Sequence, residues 1–350
     1  MEMIESTLHI NVTAVQENWR ALHAMSGSDV ETGAVVKADG YGLGAARISL
    51  ILRQAGVRSF FVAQMGEGVE LRSALGDDCT IYILTGHLPG GAPNLKRSAL
   101  TPILNSAEQF ARHMSQCPDL PFALQLDTGM NRLGMEPREF ASIRESAMRA
   151  GPVLVMSHLA CAEEPGHGMN ATQLNEFRLL TEGLQVRRSL SATGGILLGE
   201  GYHFDLTRPG IGMFGGLPFA AARPVISLDI PVIQHRIVKP GEAVGYGADW
   251  VADSTRNIAT ISAGYADGIF RHLGPGAVFY SGDRPCPVVG RISMDLITVD
   301  ISDLEKTPES LQLLGPNCSV DQFAEAAGTI GHEVLTVLGS RYRKNYFKSD

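Results

Sequence analysis

Lys37 closes the apolar run 34–36 and opens onto the glycine-rich loop of AVVKADGYGLG, which also carries Tyr41. An amine at the end of a buried strand loses hydration. Burial disfavours its ammonium form, so its pKa falls and the free base can attack an aldehyde. That is the chemistry of a Schiff-base lysine. A lone lysine does not establish it, because the same side chain can lay its stem along apolar neighbours and keep its head in water. Four further residues hold the equivalent position after an apolar run: Arg132 in DTGMNRLG, His158 in MSHLA, Thr193 in SATGG and Arg208 in LTRPGIG.

The runs themselves are the elements that must position these side chains. Strands are expected at 34–36, 60–63, 81–84, 102–104, 122–126, 153–156, 190–192 and 204–207. Between them, segments such as 11–25, 45–55, 106–116 and 173–184 place apolar residues at helical spacing. Eight parallel strands alternating with helices predict a (β/α)8 barrel, whose chemistry gathers at the C-terminal ends of its strands. Lys37, Arg132, His158, Thr193 and Arg208 would then share one mouth. Beyond about residue 223 the pattern turns β-branched, with strands expected at 224–238, 257–262, 277–280, 287–289 and 296–300, and a helix over 320–327 that starts at Ser319 and Asp321. The expected division is a barrel over 1–223 and a C-terminal, mostly β domain over 224–350.

A barrel of this kind commonly binds phosphate near its last two strands. Here Thr193 offers a hydroxyl, and RPGIG offers close backbone amides at Gly210 and Ile211. Beside a Schiff-base lysine, a phosphate cradle points to pyridoxal 5'-phosphate, whose aldehyde and phosphate require those two features.

Composition sets the outer bounds. The 350 residues carry a formal net charge of -8 with no basic run, which argues against nucleic acid as a partner. The five cysteines are scattered without a CxxC pair, so neither a disulfide framework nor a zinc ribbon is expected. No segment is long and apolar enough to span a bilayer, and MEMIESTLHI lacks the basic and apolar regions of a signal peptide, so no membrane partner and a cytoplasmic location are expected.

Across both domains the chain resembles the alanine racemases, and the motifs agree in order and spacing. The resemblance implies that Lys37 carries the cofactor, with Tyr41, Thr193, Gly210, Ile211 and Tyr342 (in GSRYRKNY) at its phosphate. It further implies Arg132 at the phenolic oxygen, His158 beside the ring and Arg208 at the pyridine nitrogen. In the second domain VGYGADW and SAGYADG resemble the family's tyrosine motifs, which implies Tyr246 as second base and Tyr265 as a substrate-pocket residue. GRISMD implies Met294 and Asp295 at the substrate. These four would reach the cofactor from a partner subunit, so the resemblance implies a homodimer with shared sites, alanine as substrate, no metal, and a role in supplying D-alanine for peptidoglycan.

Two positions depart from the family pattern. Gln125 stands where many relatives carry a carbamylated lysine, so Gln125, Asn131 or a bound anion must orient Arg132. Thr193 replaces the usual serine and keeps the hydroxyl. Rival readings have their own signatures. A decarboxylase of the same class would place glutamate where Arg208 stands. A barrel that only carries the cofactor would lack the second-domain tyrosines, and a broader racemase would often be exported. A metal hydrolase would use His158, Cys161, Glu163, Glu164 and His167 of SHLACAEEPGHG, which mix soft and hard donors without a familiar metal spacing.

Overall fold

The computed structural model describes residues 5–349, the side chain of residue 275 excepted. It divides into two compact units: Val15–Ala222, and the described residues on either side, up to Ala14 and from Arg223. The strand β1 (Thr7–Asn11) therefore belongs with the C-terminal part of the chain, whereas the expected division groups it with the barrel over 1–223. The cause is backbone pairing that the hydropathy pattern does not reveal. β1 runs antiparallel to Ile226–Val238, with Leu8 opposite Leu228, and parallel to Arg343–Phe347, with Thr7 opposite Arg343.

Within Val15–Ala222, β2 (Glu31–Thr32), β3 (Ala34–Val35), β4 (Ser59–Val62), β5 (Thr80–Ile83), β6 (Thr101–Leu104), β7 (Ala123–Gln125), β8 (Leu154–Met156), β9 (Arg188–Ser189) and β10 (Leu206–Thr207) follow in chain order. β3 to β9 form a seven-stranded sheet in sequence order, and every pairing in it is parallel. β10 closes the ring. Its segment bonds to one neighbour through Asp205 N–H to the Arg188 carbonyl (3.0 Å), and to the other through Gly33 N–H to Thr207 (2.9 Å) and Val35 N–H to Pro209 (2.9 Å). The strands at β4, β6, β7 and β8 are buried at every residue, as a parallel barrel covered by helices requires. The helices between them carry local start signals: Ser106 accepts a hydrogen bond from Gln109 N–H at the head of Ala107–Gln116, which buries Phe110.

The other unit is mostly β. β11 (Ile226–Val238) is its long strand, and β12 (Ala243–Val244), β13 (Trp250–Val251), β14 (Arg256–Ile261), β15 (Val278–Ser281), β16 (Arg284–Pro287), β17 (Ile297–Asp300), β18 (Ser310–Gln312) and β19 (Arg343–Phe347) follow. A register shift between Val232 and Gln234 lets β11 pair with β1 and β18 along one part and with β14 along the next. Val238, Val244, Ala252, Ile258 and Val289 form one core cluster. The expected helix is present at Val320–Ala326, capped by Ser319.

Candidate active site

Lys37 follows β3, and the chain turns left-handed at once. Ala38, Asp39, Gly40 and Tyr41 have φ of 53, 53, 63 and 56°. For a residue with a Cβ this conformation costs about 1–2 kcal/mol, and here three such residues adopt it within four positions. Backbone and side-chain bonds hold the turn: Gly40 N–H donates to Val36 (2.9 Å), Gly42 N–H to Ala38 (2.7 Å), Gly44 N–H to Asp39 (2.7 Å) and Ala45 N–H to Asp39 Oδ1 (2.9 Å). Burial lowers the pKa of Lys37, Arg132 and Arg208 lower it further, and Glu67 opposes them. The amine is thus shifted toward its free base.

The left-handed turn buries Tyr41 with its ring 4.7 Å from that of Phe214, and burial pushes the phenol pKa up, so it is a neutral donor. A Cβ on Gly210 would collide with the Tyr41 hydroxyl, and one on Gly212 would lie 2.6 Å from Thr193 Cγ2. Both positions need glycine for this close approach. Thr193 Oγ1 accepts from Gly210 N–H (3.0 Å) and Gly212 N–H (3.4 Å), which ties the start of Thr193–Leu197 to the loop holding Ile211. The Gly210 amide therefore steadies Thr193, and with its oxygen accepting twice the threonine has its own proton to donate.

Arg208 is only 3% exposed. Its Nε donates to Ser189 Oγ (2.8 Å), and Nη2 donates to the carbonyls of Ser157 (2.6 Å) and Leu190 (3.2 Å). Burial lowers its pKa to about 10, below the value above 12 usual for arginine, and it remains a cation at neutral pH. His158 is the opposite case. Burial, then the positive charges of Arg208, Arg132 and Lys37, push its pKa down to about 3, and its buried Nδ1 has no partner among the described residues. It presents an uncharged ring with an unused polar atom. Beneath it Gln173 donates to the His158 carbonyl (2.9 Å) and to Thr128 Oγ1 (3.2 Å), and Thr128 bonds to Ser157 (2.9 Å). This network joins the arginine, the histidine and the DTGMNRLG loop.

Arg132 is exposed on that loop. The Gln125 side chain donates to the Leu133 carbonyl (3.0 Å) and Asn131 donates to Gly129 (3.3 Å), so both expected braces shape the loop and neither reaches the Arg132 guanidinium. Asp127 Oδ1 turns the loop by accepting from Gly129 and Met130.

The remaining residues belong to the other unit. Tyr246 is 70% exposed, in a turn where Gly245 and Gly247 have φ of 80 and 76°. Tyr265 N–H donates to Ser293 (3.0 Å) and Ala266 N–H to Met294 (3.1 Å), so the SAGYADG and GRISMD loops interlock. Arg341 clamps buried Asp267 through two bonds (2.7 and 2.6 Å) and reaches Asp295 (2.7 Å). Next to Arg341, Tyr342 is buried, its hydroxyl has no partner among the described residues and its pKa is raised by burial. The structure thus gathers Lys37, Tyr41, His158, Thr193, Arg208, Gly210 and Ile211 in one unit, with Arg132 within electrostatic range. It gathers Tyr265, Met294 and Asp295 in the other. Among the described residues no cluster of three His, Cys, Asp or Glu could hold a metal. His167 instead caps Gly168–Leu180 through Met169 N–H.

Glu67 and Gln173 were not anticipated. Glu67 had a legible signal, since Q-x-x-E before VELR has the spacing of a helix capping box. Gln173 had none, because a polar residue inside a helix does not announce a buried network.

A parallel barrel with a lysine whose pKa burial lowers, a glycine cradle and a buried arginine at its strand ends defines the barrel class of pyridoxal-phosphate enzymes. The family pattern described as "Alanine racemase, N-terminal domain" matches residues 10–218, and "Alanine racemase, C-terminal domain" matches 225–346. The alanine racemase of Dinoroseobacter shibae is 59% identical over 344 residues, 98% of this chain and 99% of that one. A catabolic alanine racemase of Agrobacterium fabrum is 43% identical over 358 residues, 97% of this chain and 92% of its own. The crystal structure of the Bartonella henselae alanine racemase with covalently bound pyridoxal phosphate superposes with a TM-score of 0.94 at 34% identity, covering 99% and 100% of the two chains. The chain belongs to the alanine racemase family.

Proposed function

We propose that this protein interconverts L- and D-alanine with pyridoxal 5'-phosphate, as a cytoplasmic homodimer that supplies D-alanine for peptidoglycan. The observation that carries the reading is the lowered pKa of Lys37 at a strand end, beside a cradle only glycine can form. The residues fit the cofactor. Lys37 offers an amine shifted toward its free base, Thr193 and Tyr41 offer neutral donors against Gly210 and Ile211, Arg208 offers a fixed cation and His158 an uncharged ring with a spare nitrogen. Tyr342 adds a buried hydroxyl that no described residue engages.

Bound through Lys37, the cofactor supplies an electron-withdrawing ring that stabilises negative charge on the α-carbon of the amino acid. Racemisation needs a proton taken from one face and delivered to the other. In this reading Lys37 Nζ serves one face and the Tyr246 hydroxyl of a second copy serves the other, as the exposure of Tyr246 permits. Arg208 holds its protons at neutral pH, so it withholds full protonation from the ring and restrains side reactions. Arg132 steadies the phenolic oxygen, while Tyr265, Met294 and Asp295 shape the substrate's approach.

The test is to incubate purified protein with L- or D-alanine in deuterium oxide, following optical rotation and deuterium at the α-carbon. Rotation should vanish from either side as deuterium enters. Lys37→Ala and Tyr246→Phe should each lower turnover by about two orders of magnitude or more. Full activity in either variant would remove that residue's role, and a cofactor-loaded protein without turnover would favour a carrier.

A further inference from the structure

Backbone bonds and the Asp39 side chain hold the left-handed turn from Gly40 to Ala45, and at its first residue, Ala38, one side chain reaches in from another element. Glu67 lies in the first turn of Met65–Leu75, the helix that follows β4. Its Oε2 accepts from Ala63 N–H and Gln64 N–H, both at 2.8 Å, which is the ordinary work of a capping residue at the start of its own helix. Its Oε1 does something that capping does not explain: it accepts from Ala38 N–H at 2.5 Å, the first amide after the lysine and the first left-handed residue of the turn. One carboxylate thus ties the ends of two adjacent barrel strands together at the position of the amine. Three converging N–H groups suit this group in particular, because an ionised carboxylate accepts on both oxygens whereas an amide has a single accepting oxygen.

We propose that Glu67 is a positioning residue for Lys37, clamping Ala38 N–H so that the strained turn persists and the amine is delivered at a fixed place in the barrel mouth. This rests on the assignment of Lys37 as the cofactor-bearing amine. The charge of Glu67 adds a second effect. Arg132 and Arg208 both depress the lysine, and Glu67 is the anion that opposes them. Removing it makes the amine more acidic.

Two substitutions separate clamping from capping. Asp in the first turn still suits a helix start, but one methylene shorter it does not reach Ala38. Glu67→Gln keeps the length and loses both the charge and one acceptor. Hydrogen exchange at the Ala38 amide is read on the full chain as isolated, with Ser106→Ala, which uncaps a different helix of the same unit, as the control for general loosening. Glu67→Asp and Glu67→Gln should speed Ala38 exchange by about tenfold or more, with Ser106→Ala close to wild type. Cofactor-stripped Glu67→Gln should also take up pyridoxal phosphate with a pH midpoint below that of wild type. Wild-type protection of Ala38 in folded Glu67→Asp, equal acceleration in Ser106→Ala, or a midpoint that stays or rises would overturn the proposal. If Glu67→Gln does not fold, Glu67→Asp decides alone. A wild-type protein that fails to racemise alanine removes the functional reading, while the exchange comparison still decides the clamp.

Discussion

His158 carries the clearest consequence of the site's electrostatics. Its ordinary pKa of 6.5 falls to about 3 in the folded protein. Between those values the unfolded chain binds a proton that the folded chain does not, so stability falls as pH falls. Within that window each pH unit lost costs on the order of 1 kcal/mol from this residue alone. Urea midpoints of wild type and His158→Gln should therefore converge as pH drops from 7 toward 4, and a constant difference would contradict the neutral buried ring. Arg208 is the counterpart: Arg208→Glu exchanges a cation for an anion, which should let the ring protonate and divert some alanine to pyruvate. Unchanged product would end that account. Both residues were legible in the sequence because each closes an apolar run. Their partners were not, since Ser189, Ser157 and Gln173 meet them only through folding, and neither Gln125 nor Asn131 could be assigned or refused a role at Arg132 until their amides were seen elsewhere.

The elements show where periodicity suffices and where it does not. The helix at Ala45–Ala55 has the expected bounds, because Gly44 and Gly56 flank a run with buried Ile48, Ile51 and Leu52. The seventh barrel strand, by contrast, is expected at 190–192 and pairs at Arg188–Ser189, where polar side chains mask it. The residues after it serve another purpose: the Ser191 carbonyl accepts from Arg208 N–H (2.8 Å), and Ala192 precedes the Thr193–Leu197 helix. The loop that Thr193 ties to this helix gives a prediction at the scale of loops. Gly210 is pressed against the Tyr41 hydroxyl, so Gly210→Ala must push the Tyr41 ring or the loop aside. Overpacking of this kind costs about 1–3 kcal/mol. A lowered melting temperature together with weaker pyridoxal phosphate binding is expected. Loss of stability without loss of binding would mean that the close approach serves packing alone.

At the scale of the whole molecule, the chain's two ends meet in one sheet through β1 and β19, and the proposed bases fall in different units. Lys37 belongs to the barrel. Tyr246 belongs to the unit that both ends of the chain build, and its exposure leaves it able to serve a neighbouring copy. Reading the sequence for motifs finds both residues, because each is marked by its own glycine-rich turn. Pairing them across two copies is a claim about assembly, and it has a test that single substitutions lack. Lys37→Ala and Tyr246→Phe homodimers should each be inactive. When the two are unfolded together and refolded as a mixture, half of the dimers are hybrids, and one of the two sites in each hybrid combines an intact lysine with an intact tyrosine. Activity should return to about a quarter of the wild-type level. If lysine and tyrosine act within one chain, every site in the mixture carries a lesion, and no activity returns.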